Sequence, residues 1–244
     1  RMKHWSDESI ALLSGVNTPE EMATHMAESW AFYEYIRETY RDLADAPPSP
    51  LLAALVAGTR GSDAPLAEDE AHSIILQLLI AGSDSSASMM GSALWILARD
   101  PALQSELRGD PAKIPVFLEE VLRLESPFQG HFRVAREDAE LGGAKLRAGD
   151  RLMVLWASGN RDERQFEDPD RVRLDRRSAT KHFGFGHGLH LCVGAPLARM
   201  EGRIVLEEIL RRTTGFELAP GSVRHRPSAF VRTLEALPIR WTPR

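Results

Sequence analysis

The chain has 244 residues, 43% hydrophobic and 27% charged, proportions that fit an ordinary globular protein and exclude a disordered or fibrous one. A formal charge of −5 argues against a general nucleic-acid binder, and no signal-like or membrane-spanning run is present. One cysteine, Cys192, excludes an internal disulfide framework and suits a cytoplasmic protein.

In chain order, the first clear element is helical. Trp30-Ala31-Phe32-Tyr33-Glu34-Tyr35-Ile36 runs into Arg41-Asp42-Leu43 with its apolar residues on one stripe, so the aromatic cluster is expected to be core packing. Asp45 to Pro50 reads as a turn between helices, and Gly58 to Asp63 as a loop. From about residue 66 to 98 the pattern predicts one helix, roughly 45 Å long at about 1.5 Å per residue. Pro65 stands before its start and Arg99-Asp100-Pro101 closes it. Ile74 to Ile80 is apolar nearly all round, which predicts a helix running through the interior. In its middle, Ala81-Gly82-Ser83-Asp84-Ser85-Ser86-Ala87-Ser88 breaks the local rule with small polar residues and a carboxylate. Ala81, Asp84, Ser85 and Ser88 share one face by their spacing. A serine hydroxyl bonded to the preceding turn bends a helix, so the notch reads as a groove for a small ligand or as close packing through small residues.

A short helix is expected over Ala102 to Arg108. Another, over about 111–125, carries Glu120 and Arg123 one turn apart before Pro127 ends it. His131-Phe132-Arg133-Val134-Ala135 and Leu141-Gly142-Gly143-Ala144-Lys145-Leu146 give a strand–turn–strand signal, with Gly-Gly at the turn. Leu152 to Trp156 reads as a buried strand. Gly215 to Leu218 and Leu237 to Trp241 read as short strands around a turn at Ser228 to Val231. The fold class is therefore mainly α with small β-sheets.

Cys192 lies in Phe183-Gly184-Phe185-Gly186-His187-Gly188-Leu189-His190-Leu191-Cys192-Val193-Gly194, directly before the helix-like Ala195 to Glu201. A lone cysteine is ordinarily a small buried hydrophobe, but a core position does not need glycine at nearly every second residue. Glycine-turn amides and the positive end of a helix favour thiolate, which makes it a nucleophile or a metal ligand. A nucleophile elbow would need glycine two residues earlier, where His190 stands. A zinc site from His187, His190 and Cys192 lacks the usual ligand spacing.

The run Phe185-x-x-Gly188-x-His190-x-Cys192-x-Gly194 resembles the haem-binding loop of cytochromes P450. Ala81-Gly82-x-Asp84-Ser85 resembles that family's oxygen-binding stretch, with serine where threonine is usual, and Glu120-x-x-Arg123 resembles its Glu-x-x-Arg motif. The resemblance covers essentially the whole chain, looks closest to soluble bacterial members, and corresponds to the C-terminal portion of a single P450 domain, lacking the N-terminal sheet and early helices. It implies haem b (iron protoporphyrin IX) with Cys192 as the axial ligand of the iron. It also implies Phe185, Gly186, Gly194 and Ala81 beside the haem, and His190 and Arg133 facing propionates, with His131 held loosely beside Arg133. Asp84 and Ser85 would feed protons, and Glu120, Arg123 and Arg171 would form a structural triad that orders the cysteine loop. Val172 in place of phenylalanine is a mild departure from the family's Pro-x-Arg segment.

The resemblance further implies a monooxygenase that places one atom of O2 into an apolar small molecule. Gln77, Ile80, Phe128, Gln129, Phe230 and Val231 are candidate pocket residues. Electrons are expected from NAD(P)H through ferredoxin reductase and ferredoxin, the latter meeting a basic face with Arg199 and Arg203; no nucleic acid or membrane is expected. Two other readings stand beside it: a truncated haem-binding fragment without turnover, and a metal-binding or thiol-redox module without haem.

Overall fold

A computed structural model describes residues 1–61, 65–221 and 223–244. The chain divides into two compact units, Arg1–Asp84 and Ser85–Arg244, and one long helix contributes to both.

The first unit is helical: α1 (Met2–Ala11), α2 (Pro19–Leu43), α3 (Pro50–Arg60) and the opening turns of α4 (Glu68–Ala98). Local chemistry sets the starts. Thr18 accepts from the Glu21 amide at 3.2 Å while Glu21 accepts from the Thr18 amide at 2.8 Å, with Pro19 behind them. Ser49 caps α3 ahead of Pro50, which ends the turn expected over Asp45 to Pro50. Phe32, Ile36 and Tyr40 are buried at four-residue spacing on α2, and Trp5 of α1 stacks on Phe32 at 5.2 Å between centroids. Trp30, by contrast, is exposed.

Three expectations for this unit need correction. Helix α3 continues to Arg60, so Gly58 is helical and not in a loop; residues 62–64 of the expected loop lie outside the described residues. Helix α4 begins at Glu68, two residues later than expected. Leu66 donates its amide to the Gly58 carbonyl at 3.1 Å, and Glu70 accepts from the Ala67 amide at 2.9 Å, so the acidic trio Glu68-Asp69-Glu70 forms the first turn. Residues 74–80 are not buried all round either: Ile75, Leu76 and Ile80 pack on the Trp5–Phe32–Ile36 cluster, while Leu78 and Leu79 are 40% and 38% exposed. Helix α4 passes through the Ala81–Ser88 notch without a break.

The second unit contains the remainder of α4, then α5 (Pro101–Gly109), a 3-10 turn (Pro111–Lys113), α6 (Ile114–Glu125), α7 (Trp156–Gly159) and α8 (Ala195–Arg212). Its core joins Met89, Ala93 and Leu97 of α4, Leu107 of α5, Phe117, Leu118 and Val121 of α6, and Leu206 and Leu210 of α8. Gly202 of α8 permits the close approach: a Cβ there would lie 2.8 Å from Met89 and 3.1 Å from Leu118. Helix α6 is buried from Phe117 through Glu125, charged residues included, so its carboxylates and guanidinium require internal partners.

Among the described residues, four small antiparallel pairs complete the unit. Strand β1 (His131–Val134) pairs with β4 (Arg151–Val154), and β2 (Ala139–Leu141) with β3 (Ala144–Leu146). Gly142 and Gly143 make the β2–β3 turn with φ of +57° and +81°. Strand β5 (Thr213–Leu218) pairs with β8 (Ile239–Pro243), and β6 (Arg224–His225) with β7 (Leu234–Ala236). The expected buried strand over Leu152 to Trp156 is corrected: β4 has one partner strand, remains half-buried, and stops before Trp156 opens α7. Among the described residues no helix is long and apolar enough to cross a membrane.

Candidate functional site

The site is built outward from the buried charges of α6. Arg123 and Glu120 are both 0% exposed and pair through two hydrogen bonds, Nε to Oε1 at 2.8 Å and Nη2 to Oε2 at 3.0 Å. The remaining Arg123 donors reach the carbonyls of Asn160 (3.0 Å), Pro169 and Arg171 (3.0 Å). Phe166, fully buried, lies 5.2 Å beneath the Arg123 guanidinium. Satisfying nearly every donor offsets the desolvation that makes an isolated buried pair costly.

The third member of this cluster is Arg176, which corrects the expectation of Arg171. Arg176 Nε lies 2.9 Å from Glu120 Oε1, an ion-pair contact whose N–H is not aligned for a hydrogen bond. Its other donors reach the carbonyls of Glu167 (2.6 Å), Asp168 (3.2 Å) and Arg171 (3.3 Å). Arg171 contributes only that carbonyl; the residue itself is exposed and lines an open cleft of about 710 Å³ with Glu106, Lys113 and Asp175.

Asn160 carries the brace to the cysteine loop. Its carbonyl accepts from Arg123, its Nδ2 donates to Ser126 Oγ at 2.8 Å, and its Oδ1 accepts from the Phe183 amide at 2.6 Å. The loop then closes on itself: Gly186 donates to the Phe183 carbonyl at 2.8 Å and Cys192 to the Phe185 carbonyl at 2.9 Å. Gly186 and Gly188 hold φ of +73° and +76°, a region that favours glycine. Gly194 caps α8, and a Cβ on it would lie 3.8 Å from Cys192 Sγ. Cys192 is therefore an exposed thiol two residues before a helix N-cap, on a turn fixed at both ends.

A second carboxylate, which the sequence did not single out, holds the same loop. Glu119 Oε1 accepts from Arg199 Nε at 2.6 Å and its Oε2 from Arg199 Nη2 at 3.0 Å, while His182 Nε2 lies 2.9 Å from Oε2. The Gly184 amide donates to His182 Nδ1 at 2.9 Å, so Nε2 carries the imidazole proton and donates to Glu119. Burial alone would raise the Glu119 carboxyl, but the hydrogen bonds from His182 and Arg199, with the Arg199 charge, hold it at about 2. The Arg199 guanidinium lies 4.6 Å over the Phe185 ring. Arg199 and Arg203 are thus not free cations, since Arg203 pairs with Glu207 at 3.0 Å.

The other expected site residues are placed as follows. His190 ends an exposed 3-10 turn (Gly188–His190). Arg133 donates to the Phe132 carbonyl at 2.8 Å and lies 6.0 Å over the Trp156 ring, with no ion pair among the described residues. His131 Nδ1 accepts from Trp156 Nε1 at 2.7 Å; burial first, then the nearby Arg133 charge, lowers its pKa. Phe128 bridges Val231, and Phe230 accepts from the Gln129 amide at 2.8 Å, so these four pocket candidates are brought together. Gln129 commits its side-chain amide to the Ser126 carbonyl at 2.6 Å, at the end of α6. On α4, Asp84 and Ser88 are buried, Ser85 and Ile80 half-buried, and Gln77 and Ala81 exposed.

A planar, thiolate-held group fits this donor set. The lone thiol has exposed apolar residues near it in sequence, Leu189 at 97% and Val193 at 88%, and among the described residues no carboxylate pairs with Arg133. His187, His190 and Cys192 do not form a metal cage: among the described residues no three His, Cys, Asp or Glu side chains group to hold an ion. Residues 19–113 and 114–234 match the family model described as cytochrome P450. The chain belongs to the cytochrome P450 family. Cytochrome P450 144 of Mycobacterium tuberculosis is 38% identical over 235 residues, covering 96% of this chain and 54% of that protein. The 6-deoxyerythronolide B hydroxylase of Saccharopolyspora erythraea is 31% identical over 97% of this chain and 57% of its own length. Among solved P450 structures, P450BioI in complex with a hexadecenoic acid-ligated acyl carrier protein superposes with a TM-score of 0.91 at 30% identity, covering 98% of this chain and 61% of that one. The tirandamycin C-bound P450 monooxygenase TamI superposes at 0.87 with 36% identity, over 98% and 58%. This P450 chain therefore spans a little over half the length of the curated relatives it matches.

Proposed function

We propose that the protein carrying this chain is a haem-thiolate monooxygenase acting on an apolar small molecule. The observation that carries the reading is the exposed Cys192, presented on a glycine turn that two buried carboxylates of α6 brace from behind. Cys192 Sγ would hold haem b, with Arg133 and His190 toward its propionates and Phe185, Gly186 and Gly194 beside the thiolate. When bound, the haem supplies the activation of O2, and the thiolate supplies it with electron density. With the haem bound, Phe185 would pack near the sulfur, where apolar surroundings tune the iron. Asp84 and Ser85 on α4 hold and pass protons, Ser85 with a less fixed rotamer than threonine would give. Ala81, Gln77, Ile80, Phe128, Phe230 and Val231 bound the substrate by their segments, and most are apolar, as small-molecule pockets generally are. Electrons come from NAD(P)H through a ferredoxin and its reductase.

The test is the absorption spectrum of the reduced, haem-loaded protein under carbon monoxide. A strongly red-shifted Soret band that Cys192→Ser abolishes supports the reading; a haem-loaded protein without that band sinks it. The chain spans 54% of the length of cytochrome P450 144, so haem binding and turnover are measured apart. Product formation from O2 and a reduced ferredoxin, against haem binding alone, separates the two.

A further inference from the structure

We infer that Glu119 is a positioning residue for the Cys192 thiolate, acting through His182 and Arg199, and that it sets the charge felt on the sulfur's helix side. This rests on the haem-thiolate reading and extends it to residues outside the Glu120–Arg123–Arg176 cluster. Two arms leave the one carboxylate. The first runs through His182 to the Gly184 amide, at 2.9 Å and 2.9 Å. Gly184 is itself fixed, because a Cβ there would lie 2.9 Å from the Leu122 carbonyl. The second runs through Arg199, doubly bonded to Glu119 and 4.6 Å over the Phe185 ring. The Phe185 carbonyl in turn takes the Cys192 amide at 2.9 Å. The arms therefore meet the loop at adjacent residues, Gly184 and Phe185, the second of which accepts the Cys192 amide.

Charge gives the arrangement a consequence that mere bracing lacks. Arg199 interacts with the Cys192 charge, and Glu119 neutralises Arg199. Removing Glu119's charge leaves an uncompensated cation near the thiolate, which favours the more negative, reduced state of the bound group. Removing Arg199's charge does the opposite. Charge and hydrogen bonding around a ligating sulfur are general levers on its metal's potential.

The experiment measures the reduction potential and the ferrous carbon monoxide spectrum of haem-loaded wild type, Glu119→Gln, Arg199→Gln and the double variant. Glu119→Gln is expected to move the potential positive and to increase the blue-shifted, non-thiolate share of the carbon monoxide complex. Arg199→Gln is expected to move the potential negative, and the double variant to return towards wild type. Potentials unchanged in both single variants, or shifted in the same direction in both, overturn the inference. Should Glu119→Gln fail to accumulate folded, the half-exposed Arg199→Gln decides alone: a negative shift supports the inference and no shift overturns it. Failure of the haem-thiolate reading itself is distinguishable, because wild type would then lack the red-shifted band that Cys192→Ser removes.

Discussion

Arg171 and Arg176 stand five residues apart, and the molecule uses them in opposite ways. Arg171 offers a carbonyl and exposes its residue to a cleft, whereas Arg176 buries its guanidinium against Glu120 and three carbonyls. Arg176→Ala would leave Glu120 and those carbonyls under-satisfied in a dry site, at a cost of about 3–5 kcal/mol. Arg171→Ala keeps the carbonyl and should fall within about 0.5 kcal/mol of wild type. Urea unfolding of the two variants checks the contrast, and equal losses would contradict it. Glu120 and Arg123 were legible in the sequence because one helical turn joins them. Their third partner was not, since it depends on the path of an irregular loop over residues 160–176 that carries no periodicity. Glu119 and its partners were hidden for the same reason: 63 and 80 residues separate them along the chain.

At the scale of elements, glycines separate packing from function. In the cysteine loop, Gly184→Ala would press a Cβ to 2.9 Å from the Leu122 backbone carbonyl, which cannot move without unwinding α6. A loss of about 1–3 kcal/mol follows, as for overpacking elsewhere, with a fall in haem retention on gel filtration. Gly82 is the reverse case. It lies inside α4, and among the described residues a Cβ there would meet no atom within 4 Å. Gly82→Ala should therefore raise helix stability by up to about 1 kcal/mol, read as an increased Tm. If α4 meets a ligand at this face, the same substitution weakens substrate or haem binding, the usual exchange of stability against function. Length and apolar content made α4 legible. The Glu68-Asp69-Glu70 start escaped because Pro65 offered an equally good one, and the Leu66–Gly58 and Ala67–Glu70 contacts that set it are not visible as pattern. The β6–β7 pair escaped because a two-residue strand has no pattern to read.

For the whole molecule, stability in acid follows from how its carboxylates are held. Glu119, Asp162 and Glu208 are each held at about 2. The last two lie on the surface, where solvent and salt screen their partners, so their share is small. Glu119 is 6% exposed and joins α6 to the cysteine loop and α8. A carboxyl whose folded pKa lies below its ordinary value binds fewer protons folded than unfolded. Its contribution is thus complete above pH about 4.5, shrinks as acid protonates the unfolded chain, and is gone below about 2. Unfolding free energy should therefore fall across that window, with the second unit carrying the loss. Glu119→Gln should be less stable at pH 7 and show a shallower slope between about pH 4.5 and 2, converging on wild type at the acid end. Denaturant unfolding at a series of pH values, followed by Trp fluorescence, measures both curves. Parallel curves down to pH 2 would mean that the charge of Glu119 adds nothing to the fold. The α6–α8 contact would then rest on apolar packing, Phe117, Leu118 and Val121 of α6 with Leu206 and Leu210 of α8.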